Sequence, residues 1–102
     1  MDKKDAIMAA QQYVDLVRAE YPLVRALVFG SYAKGVHHAD SDIDVAVVLK
    51  NVDNLFDAQV ALMRLRSDDD LMIEPHVFRE KDFTTDNPFA YEVLLSGEEL
   101  RV

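Results

Sequence analysis

The sequence contains no cysteine. Disulfides and thiolate metal sites are therefore excluded, and a reducing cytoplasm is the compartment that fits. Long apolar runs are missing too, since no stretch approaches the roughly 20 residues that span a bilayer. The N-terminal Met1-Asp2-Lys3-Lys4-Asp5 leads into mixed polar and apolar residues without a signal-like core, so a soluble protein away from any membrane is expected. Basic residues are scarce: 11 Lys and Arg stand against 19 Asp and Glu, a formal charge of −8. Affinity for long nucleic acids comes largely from cations that neutralise phosphates, which argues against direct nucleic-acid binding. Cations and basic partners suit such a chain better. No repeat, linker or low-complexity tract divides it. At 102 residues, half of them hydrophobic, it is expected to fold as one domain over residues 1–102 around a modest core. There is no room for a separate substrate-binding domain, so whatever it acts on is either small or presented by another chain.

Residues 2–20 read as an amphipathic helix, with Ile7, Ala10, Val14 and Val17 at helical spacing and Pro22 ending the pattern. Tyr13 and Tyr21 fit its core-facing stripe. Leu23 to Phe29 is a short apolar run of the kind expected of a buried strand, broken abruptly by Gly30-Ser31. Ser31 to Asp40 reads as a loop with a helical turn. Ser41 to Leu49 forms a second strand, polar at its start and apolar after Val45. Asn51 to Asn54 supplies caps for a helix over Leu55–Arg66. The Asp68-Asp69-Asp70 run is a solvated turn. Leu71 to Phe78 gives a third strand, but Pro75 cannot donate to a ladder, which places the strand at an edge or ends it near residue 74. Asn87-Pro88 caps a final helix that ends near Gly97. Strands alternating with helices predict an α/β (α+β) layered fold, a small mixed sheet of about three strands flanked by helices.

Asp42-Ile43-Asp44 opens the second strand. Strand side chains alternate faces, so both carboxylates point the same way, roughly 7 Å apart along the strand. Their repulsion is about 2 kcal/mol at an effective dielectric near 20. A divalent cation between them removes it, and hard oxygen ligands of this kind suit Mg²⁺, which takes its remaining ligands from water and substrate phosphates. A solvated polar strand end is the plainer reading of Asp-x-Asp alone. Gly30-Ser31 follows the first strand directly, where a sharp turn exposes backbone N–H groups that can hold phosphate oxygens. A P-loop is excluded because no Lys-Ser or Lys-Thr follows Gly30-Ser31-Tyr32-Ala33-Lys34-Gly35. His37, His38 and Asp40 resemble a metal cluster only superficially, with no second pair at zinc-site spacing.

Taken together, strand, Gly-Ser, ten residues and Asp-x-Asp opening another strand resemble the nucleotidyltransferase superfamily that includes polymerase beta. The stretch reads GSYAKGVHHADSDIDVAVVL from Gly30 to Leu49. The resemblance covers about residues 23–78. The short chain is similar to stand-alone minimal nucleotidyltransferases, many of which pair with an all-helical HEPN-domain protein as the antitoxin of a toxin–antitoxin module. It implies a nucleotidyltransferase fold, ATP as substrate and two Mg²⁺ ions. Asp42 and Asp44 would bind both metals, one holding the triphosphate and the other activating the acceptor hydroxyl for in-line attack on the α-phosphorus. Glu74, in Leu71-Met72-Ile73-Glu74, is the candidate third carboxylate, completing the second metal site and accepting the proton, with Asp70 as its replacement should Glu74 lie remote from the aspartates. Gly30, Ser31 and Lys34 would grip the β- and γ-phosphates.

Minimal members often carry Gly-Ser-Arg-Ala-Arg-Gly at this turn, whereas this chain has Tyr32 and Lys34 at the arginine positions. Lys34 is still a point charge but lacks the bidentate fork, while Tyr32 either stacks or packs. Three activities are open. The chain transfers AMP to a hydroxyl of a HEPN-type partner, it neutralises that partner by covering it, or it is the catalytic subunit of a small-molecule transferase of the antibiotic-modifying kind. Self-association into a homo-oligomer is open as well, and the last helix can dock on the core or on a partner through Phe83, Phe89, Tyr91 and Leu95.

Overall fold

In the computed structural model, Lys3–Glu20 forms helix α1, capped by Asp2, whose side chain accepts the Asp5 N–H at 2.8 Å. The structure describes residues 1–102, except for the side chain of Asp69. Strand β1 spans Leu23–Phe29 and the short helix α2 spans Ser31–Lys34. Strand β2 covers Ile43–Leu49 and helix α3 Leu55–Arg64, capped by Asn54. Asp68–Asp70 makes a single 3₁₀ turn before strand β3, Ile73–Arg79, and a second such turn follows at Glu80–Asp82. Helix α4 runs Pro88–Ser96, with Asn87 accepting from the N–H groups of Phe89 and Ala90 and Pro88 at its start. Strand β4 is only Glu98–Glu99.

The sheet order is β3-β2-β1-β4, with β1 antiparallel to both neighbours and β2 parallel to β3. This is the mixed sheet expected, with a fourth strand added. β4 has two glutamates and no apolar alternation, so nothing in its sequence marks it. Pairing with Leu27 and Val28 makes it a strand, and the next residue, Leu100, donates its N–H to Ala26 and buries its side chain. Arg25 pairs with Glu99 and Lys3 with Glu98, joining this edge to β1 and α1.

Alternation along the strands sorts the core into two clusters, one per face. Ala26, Val28, Ile43, Val45, Val47, Ile73 and Val77 face α1 and α3, where Ala6, Ala10, Tyr13, Val14, Val17 and Leu62 complete the larger cluster. On the other face Leu27, Ala46, Val48 and Phe78 meet Phe83, Ala90 and Val93. α4 therefore docks on the sheet through Ala90 and Val93. Phe83 belongs to that core, while Tyr91 and Leu95 remain exposed and Phe89 is 45% exposed.

Pro75 does not end β3. The strand lies at the sheet edge and continues to Arg79. In a strand, the N–H and C=O of one residue point to the same side. The Pro75 carbonyl points outward, accepting from Gln59 Nε2 of α3, so its missing N–H removes no bond to β2. Gln59 Oε1 then accepts the Val77 N–H at 2.9 Å, and one amide side chain covers the free edge around the proline.

Candidate active site

Strand parity decides what gathers at one end of the sheet. Asp44 is opposite Phe29 of β1 and Glu74 of β3. All three residues belong to the face covered by α4, at the C-terminal end of β1 and the N-terminal ends of β2 and β3. The parallel β2–β3 pairing, closed by the α3 crossover, brings together carboxylates 30 positions apart in the chain.

Gly30 forms the sharp exit from β1, with φ 75° and ψ −149°, a region open essentially to glycine alone. A Cβ at this position would run into the Asp44 carboxylate. The Gly30 backbone is therefore packed directly against the second aspartate of the Asp-x-Asp pair. Ser31 opens α2, and Gly35 closes it in the left-handed conformation. Lys34 lies exposed in that helix. Tyr32 both packs and stacks. It is buried in the larger core cluster, with its ring against His37 at 4.2 Å between centroids. It thus points away from the carboxylates, leaving Lys34 as the cation of this turn.

Among the described residues, Asp44, Glu74 and His76 each offer a ligand atom, all within 4.8 Å of one another. Asp44 and Glu74 were anticipated together. Asp42, exposed and one residue before β2 begins, is not in this group. Asp70 is not in it either; its carboxylate accepts from Ser67 Oγ in the 3₁₀ turn. His37 stacks on Tyr32, and His38 accepts the Asp40 N–H through Nδ1, so neither joins the cluster.

His76 is the member that sequence reasoning left out. Its Nε2 lies 3.1 Å from Asp44 Oδ1 and 3.9 Å from Glu74 Oε1. The imidazole packs edge-on between Phe29 and Phe89, at centroid distances of 5.0 and 5.7 Å. One signal for it was present: His76 is two residues from Glu74 on a strand and must share its face. The side chains provide two carboxylates and one imidazole in one corner, a donor set that fits a divalent cation. A groove of 410 Å³ beside Lys50, Asn51, Arg79 and Lys81 lies at the opposite end of β2 and β3, and contributes nothing to this corner.

A mixed sheet with a Gly-Ser turn against an aspartate-bearing strand defines the nucleotidyltransferase fold class. Residues 10–92 match the nucleotidyltransferase domain family, and the chain belongs to that family. No curated protein matches it in sequence. Among solved structures it is similar to one described as a nucleotidyltransferase candidate from Sulfolobus solfataricus, with 26% identity and a TM-score of 0.67 over 78% of this chain and 72% of that one. It also shares its fold with a chain of a toxin–antitoxin structure containing AMP-PNP, at 24% identity and TM-score 0.60, covering 89% of this chain and 72% of the other. A mutant MntA–HpeT toxin–antitoxin structure aligns at 22% identity and TM-score 0.59, over 90% and 72% of the two chains. Among the described residues, no helix is long and apolar enough to cross a membrane.

Proposed function

We propose that this chain is a Mg²⁺-dependent adenylyltransferase that moves AMP from ATP onto a hydroxyl of a helical HEPN-type partner, in the role of an antitoxin. The observation that carries the reading is the packing of the Gly30 backbone against the Asp44 carboxylate, with Glu74 beside it in register. A purely structural domain has no reason to crowd carboxylates against a glycine turn. Family membership supports the reaction class, and the toxin–antitoxin structures sharing the fold support the partner.

In this reading Asp44 and Glu74, with Asp42 at the rim, hold two Mg²⁺ ions. Bound there, the metal supplies charge neutralisation for the triphosphate and a more acidic acceptor hydroxyl. Gly30 and Ser31 present backbone N–H groups and a hydroxyl to the β- and γ-phosphates, and Lys34 adds a positive charge. The acceptor oxygen bonds to the α-phosphorus as the bond from that phosphorus to the α–β bridging oxygen breaks. Pyrophosphate leaves, and Glu74 takes the acceptor's proton.

The test is incubation with Mg²⁺ and α-labelled ATP, with and without the helical partner, beside an Asp42→Ala/Asp44→Ala double variant. Label on the partner with the native chain alone is the expected result. Label on a small hydroxyl compound instead identifies a small-molecule transferase. Binding of the partner by both proteins with no label anywhere overturns the catalytic reading, leaving an antitoxin that acts by covering its target.

A further inference from the structure

We infer that His76 is a metal ligand of this centre, and that it shifts the preference of the site from Mg²⁺ toward a first-row transition ion such as Mn²⁺. The inference rests on the reading of Asp44 and Glu74 as metal ligands and adds a nitrogen donor to them.

Three observations carry it. First, the separations suit a shared cation. Two donors about 2.1 Å from one octahedral ion, at adjacent positions, lie about 3.0 Å apart, and opposite donors about 4.2 Å apart. His76 Nε2 is 3.1 Å from Asp44 Oδ1 and 3.9 Å from Glu74 Oε1, within that range for both. Direct pairing of the imidazole with the two carboxylates also spans these distances, so the separations permit a shared cation, and the Mn²⁺ experiment decides between the two.

Second, the ring is held before any ligand arrives. His76 is opposite Ala46 in the β2–β3 register, whose small side chain leaves room for the ring beside it. Phe29 and Phe89 meet it in edge-to-face geometry. The ring therefore loses little rotational freedom when Nε2 is engaged, and packing, not solvent, sets its direction.

Third, the strand supplies both donors without distortion. Glu74 and His76 are two positions apart on one face of β3, and Pro75 between them has its backbone fixed by Gln59 of α3. Mg²⁺ demands oxygen donors and holds its waters tightly, while imidazole nitrogen favours transition ions. A corner of two carboxylates and one imidazole is thus a mixed site, distinct in preference from one built of carboxylates alone.

The experiment uses Mn²⁺ as the probe, on the full chain without nucleotide. Binding is read by electron paramagnetic resonance titration with Mg²⁺ as competitor, and ¹⁴N coupling to the bound Mn²⁺ by electron spin-echo modulation. Native protein is compared with His76→Gln, His76→Ala and a His37→Gln/His38→Gln control, after melting curves establish that each is folded. The expected result is ¹⁴N modulation in the native protein and the control but not in the His76 variants. Mn²⁺ should bind about tenfold more tightly than Mg²⁺ to the native chain, a preference lost with His76 while Mg²⁺ affinity changes little. Bound Mn²⁺ without ¹⁴N modulation, or modulation that survives in His76→Gln, overturns the inference and leaves the carboxylate site standing. Failure of either ion to bind the native chain overturns the metal reading of Asp44 and Glu74 itself.

Discussion

Gly30 and Asp44 are in direct contact, backbone against carboxylate, and no side chain larger than hydrogen fits between them. The conformation of Gly30, φ 75° and ψ −149°, is closed to other residues as well. Gly30→Ala therefore carries both a backbone penalty and a collision with the central carboxylate. A loss of about 2–3 kcal/mol in unfolding free energy is expected. Gly35 provides the comparison: its φ is also positive, at 73°, but a Cβ there meets nothing within 4 Å. Gly35→Ala should lose about 1–2 kcal/mol and leave metal binding intact. Urea melts with and without divalent cation separate the two. Equal losses, with cation-induced stabilisation retained in Gly30→Ala, would show that the glycine serves only the turn.

Asp44 and Glu74 are paired across β2 and β3, two like charges on one face. Asp44→Asn removes that charge–charge repulsion and keeps an oxygen able to face His76. In metal-free buffer its stability should match or exceed the native value, by about 1 kcal/mol or less given the exposure of the pair. Saturating divalent cation at a hundredfold excess over its dissociation constant stabilises the native chain by about 2.7 kcal/mol. The variant should gain almost none of this, as thermal melting with and without metal will report. A destabilised Asp44→Asn in metal-free buffer would mean that Asp44 is a structural acceptor first.

Much of this corner was legible in the sequence because its signals are local. Gly30-Ser31 breaks an apolar run, Asp44 lies at the start of the next, and alternation along each strand fixes the face on which Asp44 and Glu74 stand. Pro75 left two readings of β3, an edge strand or one ending near residue 74, and the structure shows the first. What was not legible depends on pairing between distant segments. The β2–β3 register decides that Asp44 meets Glu74 and His76, whereas Asp42, outside the strand, falls beyond the cluster. His76 on its own reads as one more half-buried strand residue. The phenylalanine rings from β1 and α4 pack against it, and its Nε2 meets the Asp44 carboxylate. Likewise β4 is created by its neighbour and by the burial of Leu100, not by its two glutamates.

Gln59 covers the exposed edge of β3 by accepting from Val77 and donating to Pro75. Both bonds are partly buried, so removing the amide leaves a carbonyl and an N–H facing the underside of α3. Gln59→Ala should lower stability by about 1–3 kcal/mol and accelerate hydrogen exchange at the Val77 amide ahead of the amides of β1. Unchanged Val77 protection would mean that the helix itself, not the amide, shields the edge. Since Glu74 and His76 flank Pro75, weaker cation binding should accompany the change.

Tyr13 connects the two helices on the opposite face. Its hydroxyl donates to the Leu62 carbonyl at 2.6 Å, with the ring fully buried between α1 and α3. Burial pushes its pKa well above the ordinary tyrosine value, because the phenolate would lose its hydration. The native state therefore holds this proton over a pH range in which the unfolded chain releases it. The stabilisation is complete below the unfolded value near pH 10 and is lost as pH rises beyond it, by at most about 1.4 kcal/mol per pH unit for one group. Tyr13→Phe removes the hydroxyl and leaves the Leu62 carbonyl with the Leu65 N–H as its remaining donor, at a loss of about 1 kcal/mol near neutrality. It also removes one titrating group from the alkaline limb. Urea melts between pH 8 and 11 should show the native chain losing stability more steeply than the variant, so that the two curves converge as pH rises. Parallel curves would show that Tyr13 is not the source of the alkaline sensitivity.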